Sequence, residues 1–244
     1  MAKTAKIRLF VEAPLTKGQG IALNKDQANY LFAVMRLSVG DHILVFNGAD
    51  GEWLVEVLEG TKRGGTLGCL EQTKPQQMPP DVWLIFAPIK KERTNFIVEK
   101  AAELGAAHIQ PVITQFTNSD RLRTDRLQAH ALEAAEQCGG SYVPTVADPI
   151  KFADLLADWP TDRRLMFCDE RMAAGPVAEV LANETAGKWA IIIGPEGGFS
   201  ADEADALNTM PQTIAVTLGP RILRADTAAV AALTAWQSAL GDWG

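Results

Sequence analysis

The period of the hydrophobic positions changes once along this chain, and the change divides it. Over residues 1–73 the period is two. Ile7 to Glu12 reads Ile-Arg-Leu-Phe-Val-Glu, Ile43 to Phe46 is a short apolar run, and Trp53 to Leu58 alternates again. That is the spacing of strands with one buried face. Between the last two segments, Asn47-Gly48 and Asp50-Gly51 are pairs that accept positive φ, which predicts a hairpin. One helix interrupts the strands, with Asp26 as its cap and Tyr30, Val34 and Leu37 on one face. Short strands plus one helix predict a small β-barrel domain over 1–73. Pro75, Pro79 and Pro80 among polar residues make 74–81 a linker.

From residue 82 to 244 apolar runs alternate with helical patterns. Val82–Ala87, His108–Ile113, Arg164–Cys168, Lys188–Ile193 and Thr213–Leu218 read as strands buried on both faces. Helices are predicted over Lys91–Leu104, Asp125–Gln137, Ile150–Trp159, Pro176–Asn183, Ser200–Asn208 and Ala225–Leu240. This alternation calls for an α/β domain with a parallel sheet.

Two of those strands break into glycine and proline, and these breaks are the most informative chemistry in the chain. Ile193-Gly194-Pro195-Glu196-Gly197-Gly198 precedes Ser200-Ala201-Asp202-Glu203, a capping box. Leu218-Gly219-Pro220-Arg221-Ile222-Leu223-Arg224 precedes an alanine-rich helix, for which Asp226 is a candidate cap. Ligands of α/β sheets bind where strands hand over to helices at the C-terminal edge, so two such turns are candidate walls of one pocket. Neither turn has the lysine and spacing of a P-loop, and Gly-x-Gly-x-x-Gly is absent, which disfavours a dinucleotide. The plain alternatives are ordinary strand-to-helix turns and arginines that merely face solvent.

Charge narrows the partners only slightly. The chain of 244 residues has a net charge of −7. Residues 1–73 are neutral, 74–126 carry +2 and 127–244 carry −9, so a neutral-to-basic surface remains for an acidic partner. Cys69, Cys138 and Cys168 fit neither a disulfide framework nor a zinc site, and His42, His108 and His130 lack ligand spacing; no metal is expected. No apolar run is long enough for a membrane span, and Met1 to Arg8 lacks the order of a signal peptide. A cytoplasmic location is expected.

Taken together, Ile193–Ser200 and Leu218–Arg224 closely resemble the ribosomal small-subunit RNA uridine-N3 methyltransferase family (RsmE) of the SPOUT superfamily. Lys90 placed ten residues before Lys100-Ala101-Ala102-Glu103-Leu104-Gly105, the run Glu133-Ala134-Ala135-Glu136-Gln137, and Arg8-x-Phe10 extend the resemblance over nearly the whole chain. Departures are Asn29 where many members carry histidine, Gly139 or Gly140 where they carry arginine, Thr117-Asn118 in place of Arg-Ser, and Asp226 in place of glutamate.

The resemblance implies a PUA-like RNA-binding barrel, then a parallel sheet with a C-terminal trefoil knot, a homodimer through that region, and methylation of a uridine N3 in 16S ribosomal RNA within the small ribosomal subunit. It implies S-adenosylmethionine held by Gly194, Pro195, Glu196, Gly197, Gly198, Leu218, Gly219, Ile222, Leu223 and Arg224. Leu218 and Ile222 would meet the adenine. Arg224 would stabilise the uracil anion, positioned by Glu196 or Asp226. Arg8, Phe10, Arg36, Lys90, Arg93 and Lys100 would contact RNA, with Phe10 or Phe199 as a stacking platform. Two rivals are a non-enzymatic RNA-binding module, for which a broken glycine loop is expected, and a ribose 2′-hydroxyl methyltransferase, whose arginine–asparagine signature finds no place here.

Overall fold

The computed structural model describes residues 7–118, 121–171 and 174–244; the reading of Met1 to Arg8 as lacking a signal peptide falls largely outside them. Two units separate, one of residues up to Met78 with Ala135–Tyr142, the other of Pro79–Ala134 with Val143–Gly244.

The first unit begins with β1 (Arg8–Phe10) and β2 (Gly20–Leu23), followed by α1 (Lys25–Ala28). Then come β3 (His42–Phe46), β4 (Glu52–Thr61) and β5 (Gly64–Lys74). The five strands run in the order β1-β3-β4-β5-β2, parallel at β1–β3 and antiparallel elsewhere. Where a barrel was expected, the hydrogen-bonded path stays open between β1 and β2 among the described residues. The hairpin turn between β3 and β4 forms with Gly48 at φ 81° and Gly51 at φ 77°. β2 alternates exposed and buried positions, as β5 does around Leu67 and Cys69, but glycine and small residues hide that alternation in the sequence, and β5 runs into the expected linker.

The interrupting helix differs from its expectation. Asn24, not Asp26, caps α1, through a capping box with Gln27. Beyond α1 the chain continues as a π-helix over Asn29–Val34, with Met35 N–H bonded to Tyr30 C=O at 2.9 Å. Its wider turn rotates the faces, so Leu31 is buried and Val34 exposed.

The second unit holds β6 (Val82–Phe86), α2 (Lys91–Glu103), β7 (His108–Ile113), α3 (Thr124–Cys138, its last residues grouped with the first unit) and β8 (Thr145–Val146). It continues through β9 (Ile150–Lys151), α4 (Phe152–Ala157), β10 (Arg164–Cys168), α5 (Val177–Leu181) and β11 (Trp189–Ile193). α6 (Ala201–Thr209), β12 (Thr213–Val216) and α7 (Ala225–Leu240) complete it. The sheet is parallel throughout, in the order β12-β10-β11-β6-β7-β8, with β9 also paired to β7.

Alternation along β6 shows why such strands read as continuous apolar runs. Val82, Leu84 and Phe86 enter the core beneath α2, α3 and α7, while Ile85 enters the core beneath α4 and α6. The helix expected over Ile150–Trp159 starts two residues late, because Ile150 and Lys151 first pair with Val112 and Ile113. The segment expected as a linker is held at two points. Gln77 N–H meets Ser141 Oγ at 3.3 Å, and Asp81 pairs with Arg163 at 2.9 Å. Among the described residues no helix is long and apolar enough to cross a membrane.

Candidate functional site

Strands β10, β11 and β12 are neighbours in the sheet, so their C-terminal ends release three segments side by side. These segments and the start of α7 enclose a cavity of about 210 Å³. The turn after β11 contributes Gly194, Pro195, Glu196 and Gly198, and the turn after β12 contributes Leu218, Gly219, Ile222, Leu223 and Arg224. The structure therefore brings nine of the ten expected cofactor residues to one wall. Gly197 stands outside it, on the far side of the turn, where a Cβ would meet Phe116 at 3.1 Å.

The cavity is shaped by close backbone approach. A Cβ on Gly194 would stand 2.9 Å from the Phe199 ring, and one on Gly198, at φ 71°, would collide with the Glu170 carboxylate. Phe199 is buried, edge-on to Phe167 at 5.5 Å, so it anchors the turn in the core and is not a platform for a base. The second turn carries apolar Leu218, Leu223 and a 75% exposed Ile222. Among the described residues, the backbone N–H groups of Leu218, Ile222, Leu223 and Arg224 find no partner within the chain. Free main-chain donors at the wall of a concavity suit a polar ligand.

A third segment, Cys168-Asp169-Glu170, also lines the cavity and was missed in the sequence. Glu170 Oε1 accepts the Phe199 N–H at 3.1 Å, tying the glycine turn to the end of β10. Burial works to raise the Asp169 carboxyl, but hydrogen bonds from the Arg171 guanidinium and backbone N–H hold it below its usual range. Burial, with the Glu170 carboxylate adding to it, pushes the Cys168 thiol up to about 12, so it stays a neutral wall. The available signal was positional: these residues also follow a buried strand at the C-terminal edge.

Arg224 is exposed at the cavity and Glu196 is exposed on the facing turn. Asp226 is not the cap of α7. Arg224 occupies that position without a side-chain bond, and the Asp226 carboxylate accepts the Thr227 N–H at 2.9 Å and lies 3.8 Å from Arg93 Nε. A chain that leaves the turn at Arg224 places Asp226 already inside the first helical turn, past the cavity wall.

The expected RNA contacts scatter. Arg8 turns inward, paired with Glu52 at 2.8 Å and bonded to the carbonyls of Ala135, Glu136 and Gly140 at 2.7–2.9 Å. Its guanidinium also covers Phe46 at 4.6 Å, and this leaves Arg8 a structural role. Phe10 packs edge-on against Phe46 at 5.7 Å. Arg36 is exposed at an unusual φ of 58°. Lys90 is exposed at the start of α2, and Lys100 pairs with Glu103 at 2.7 Å.

Comparison with known proteins adds a lineage to this geometry. A family model described as an RNA methyltransferase domain matches residues 76–237, and an RNA methyltransferase PUA domain matches 23–67. A ribosomal RNA small subunit methyltransferase E of Synechocystis is 31% identical over 221 residues, covering 87% of this chain and 71% of the relative. The chain belongs to that methyltransferase E family. A member from Rickettsia conorii is 29% identical over 228 residues, covering 93% of each. A methyltransferase E structure from Neisseria gonorrhoeae, bound to S-adenosyl methionine, superimposes with a TM-score of 0.87 at 27% identity, over 98% of this chain and 99% of the other. The two divisions of methyltransferase E, PUA and methyltransferase, thus cover most of the sequence.

Proposed function

We propose that this chain transfers the methyl group of S-adenosylmethionine to N3 of a uridine in 16S ribosomal RNA, in the cytoplasm and within the small ribosomal subunit. The observation that carries the reading is the meeting of the turns after β11 and β12 at one cavity built largely of main chain. Family membership supports methyl transfer to RNA, and the Neisseria neighbour supports the cofactor.

The residues fit that cofactor. Free N–H groups at Leu218, Ile222 and Leu223 suit the hydrogen-bonding edge of an adenine, while Leu218, Ile222 and Leu223 side chains offer its faces apolar contact. Gly194 and Gly198 allow the backbone to reach a ribose, and a lining that carries Glu170 and Glu196 as well as Arg221 and Arg224 suits a ligand with charges of both signs. When bound, the cofactor supplies a sulfonium methyl whose S–C bond breaks as the new N–C bond forms.

The chain must then align uracil N3 and deal with its proton. Arg224 has no ion pair among the described residues, which leaves its charge free to stabilise the uracil anion at O2 or O4. Glu196, on the opposite turn, accepts the N3 proton. Asp226 acts at one remove, holding Arg93 beside the start of α7.

The domain reading is an RNA-binding PUA-like domain over 1–73, a linker at 74–81 and a methyltransferase domain over 82–244. The trefoil knot belongs to this reading. It is supported by the segment after β10, which flanks the end of β12 with Gly175 C=O and Val177 N–H on Thr217 at 2.9 and 3.0 Å. A homodimer through the same region is supported by the small outer flank of α7, where Ala228, Ala231 and Ala235 are only half-buried.

Calorimetric titration with S-adenosylmethionine, followed by mass mapping of methylated uridines in small-subunit RNA from cells lacking the protein, tests the whole. Heat of binding and restoration of one N3-methyluridine on adding protein are expected. No heat with S-adenosylmethionine ends the proposal. Arg224→Ala should lower turnover about a hundredfold with cofactor affinity kept, as for loss of one charge-stabilising donor; near-normal turnover removes Arg224 from the chemistry.

A further inference from the structure

A second concavity in the same unit, of about 360 Å³, opens between the start of α2 and residues 121–130, which span the lead into α3 and its first turns. Among the described residues its wall carries Lys91, Asn95, Arg121, Arg123, Arg126 and His130, and no acidic side chain. Two of these have carboxylate partners, Arg123 on Asp125 at 2.6 Å and His130 on Glu99 at 2.9 Å. Lys91, Arg121 and Arg126 are exposed and have no ion pair among the described residues. In a chain of net charge −7, three unneutralised cations around one groove are a local reversal that attracts a polyanion.

The groove walls are held in place. Leu127 is 3% exposed and Leu122 packs on the same core, so the turn that bears the arginines is anchored from below. Thr94 Oγ1 bonds both Ile89 N–H and Ile89 C=O at 3.1 and 3.0 Å, fixing the first turn of α2. Two contacts, neither of them on a cavity wall, tie the elements that bear the groove to those that bear the cofactor cavity. Arg93, two residues from Lys91, reaches Asp226 at the base of α7, and Phe116, in the segment between β7 and the arginines, lies against Gly197 of the glycine turn.

We propose that this groove binds the sugar-phosphate backbone of the substrate RNA beside the nucleotide that enters the cavity, with Lys91, Arg121 and Arg126 each meeting a phosphate. The proposal rests on the methyltransferase reading above. Guanidinium groups grip phosphate oxygens in pairs, and a lysine adds a point charge from the opposite wall. Cations on two separate elements suit successive phosphates of one strand.

The test compares full-length protein with Lys91→Glu, Arg121→Glu and Arg126→Glu. Lys188→Glu, at the N-terminal end of β11 and so at the other edge of the sheet, controls for net charge. Binding to an in vitro transcript of small-subunit ribosomal RNA is measured over a salt series, and S-adenosylmethionine binding by calorimetry. Each groove variant should lose roughly tenfold in RNA affinity near 0.1 M salt. Its slope of log K against log salt should fall by about one, while cofactor affinity stays that of the parent. Inorganic phosphate at matched ionic strength should displace no RNA; displacement would mark a single-anion pocket and overturn the proposal. Groove variants that match Lys188→Glu in affinity and slope, in a protein that takes up cofactor and binds RNA, overturn the groove alone. A parent protein that binds no RNA overturns the underlying reading and the groove with it.

Discussion

Gly198 does two things that no other residue type can do together. It takes a φ of 71°, and it lets the Glu170 carboxylate stand where a Cβ would be. Gly198→Ala should therefore bring both backbone strain, worth about 1–3 kcal/mol, and the loss of the Glu170 clamp on Phe199 N–H. We expect S-adenosylmethionine affinity to drop about tenfold or more by calorimetry, and the melting temperature to fall by several degrees; unchanged affinity would remove the close-packed turn from cofactor binding. The glycine was legible in the sequence because its backbone role is local. Its partner was not, since Glu170 lies 29 residues before Phe199 and meets it only through the neighbouring of β10 and β11. Arg8 teaches the converse. The family resemblance implied an RNA contact for Arg8, whereas its donors close on Glu52 and three carbonyls, contacts that leave no mark in the local pattern.

The helix α6 is an element whose start was fully readable, yet whose function in the fold was not. Ser200 and Glu203 form the expected capping box, with Ser200 Oγ accepting Glu203 N–H at 3.2 Å and Glu203 Oε2 accepting Ser200 N–H at 2.9 Å. The other oxygen of Glu203 accepts Gln115 N–H at 2.7 Å, so the cap also holds the segment after β7. Removing the hydroxyl in Ser200→Ala should cost about 1 kcal/mol. Glu203→Ala leaves the buried Ser200 N–H and the more exposed Gln115 N–H without their charged acceptor and should cost about 2–3 kcal/mol. Thermal denaturation of the two variants gives the ranking, and a Glu203→Ala no worse than Ser200→Ala would reduce its role to capping alone. At the same scale, the π-helix after α1 defeated a periodicity argument, because i, i+4 spacing predicts buried faces only while the turn stays α-helical.

Across the whole molecule, the division between Met78 and Pro79 falls within the segment 74–81, yet the first unit is not one continuous stretch of chain. The first unit recruits Ala135–Tyr142 from far down the chain, and there Arg8 finds the carbonyls of Ala135, Glu136 and Gly140 and Phe10 N–H finds Glu136 Oε1 at 2.8 Å. A fragment ending at Met78 lacks these acceptors and the cover that this segment gives Arg8 and Phe10, so it should be less stable than the same unit in the intact chain. Circular dichroism and amide exchange on the fragment would show this, and a cooperative melt equal to that of the same unit in the intact chain would refute it. Much of the architecture was nonetheless determined by the sequence itself. The switch from period-two strands to strand–helix alternation, the strands β7 and β10, the span of α7 and both glycine turns depend on near neighbours and on hydrophobic spacing, which the chain carries in its order of residues. Only the tertiary structure decided that β12 would pair with β10 and β10 with β11, because parallel pairing joins segments that share no local signal. That pairing sets three strand ends side by side, adds Cys168-Asp169-Glu170 to the two turns, and turns separate loops into one cavity.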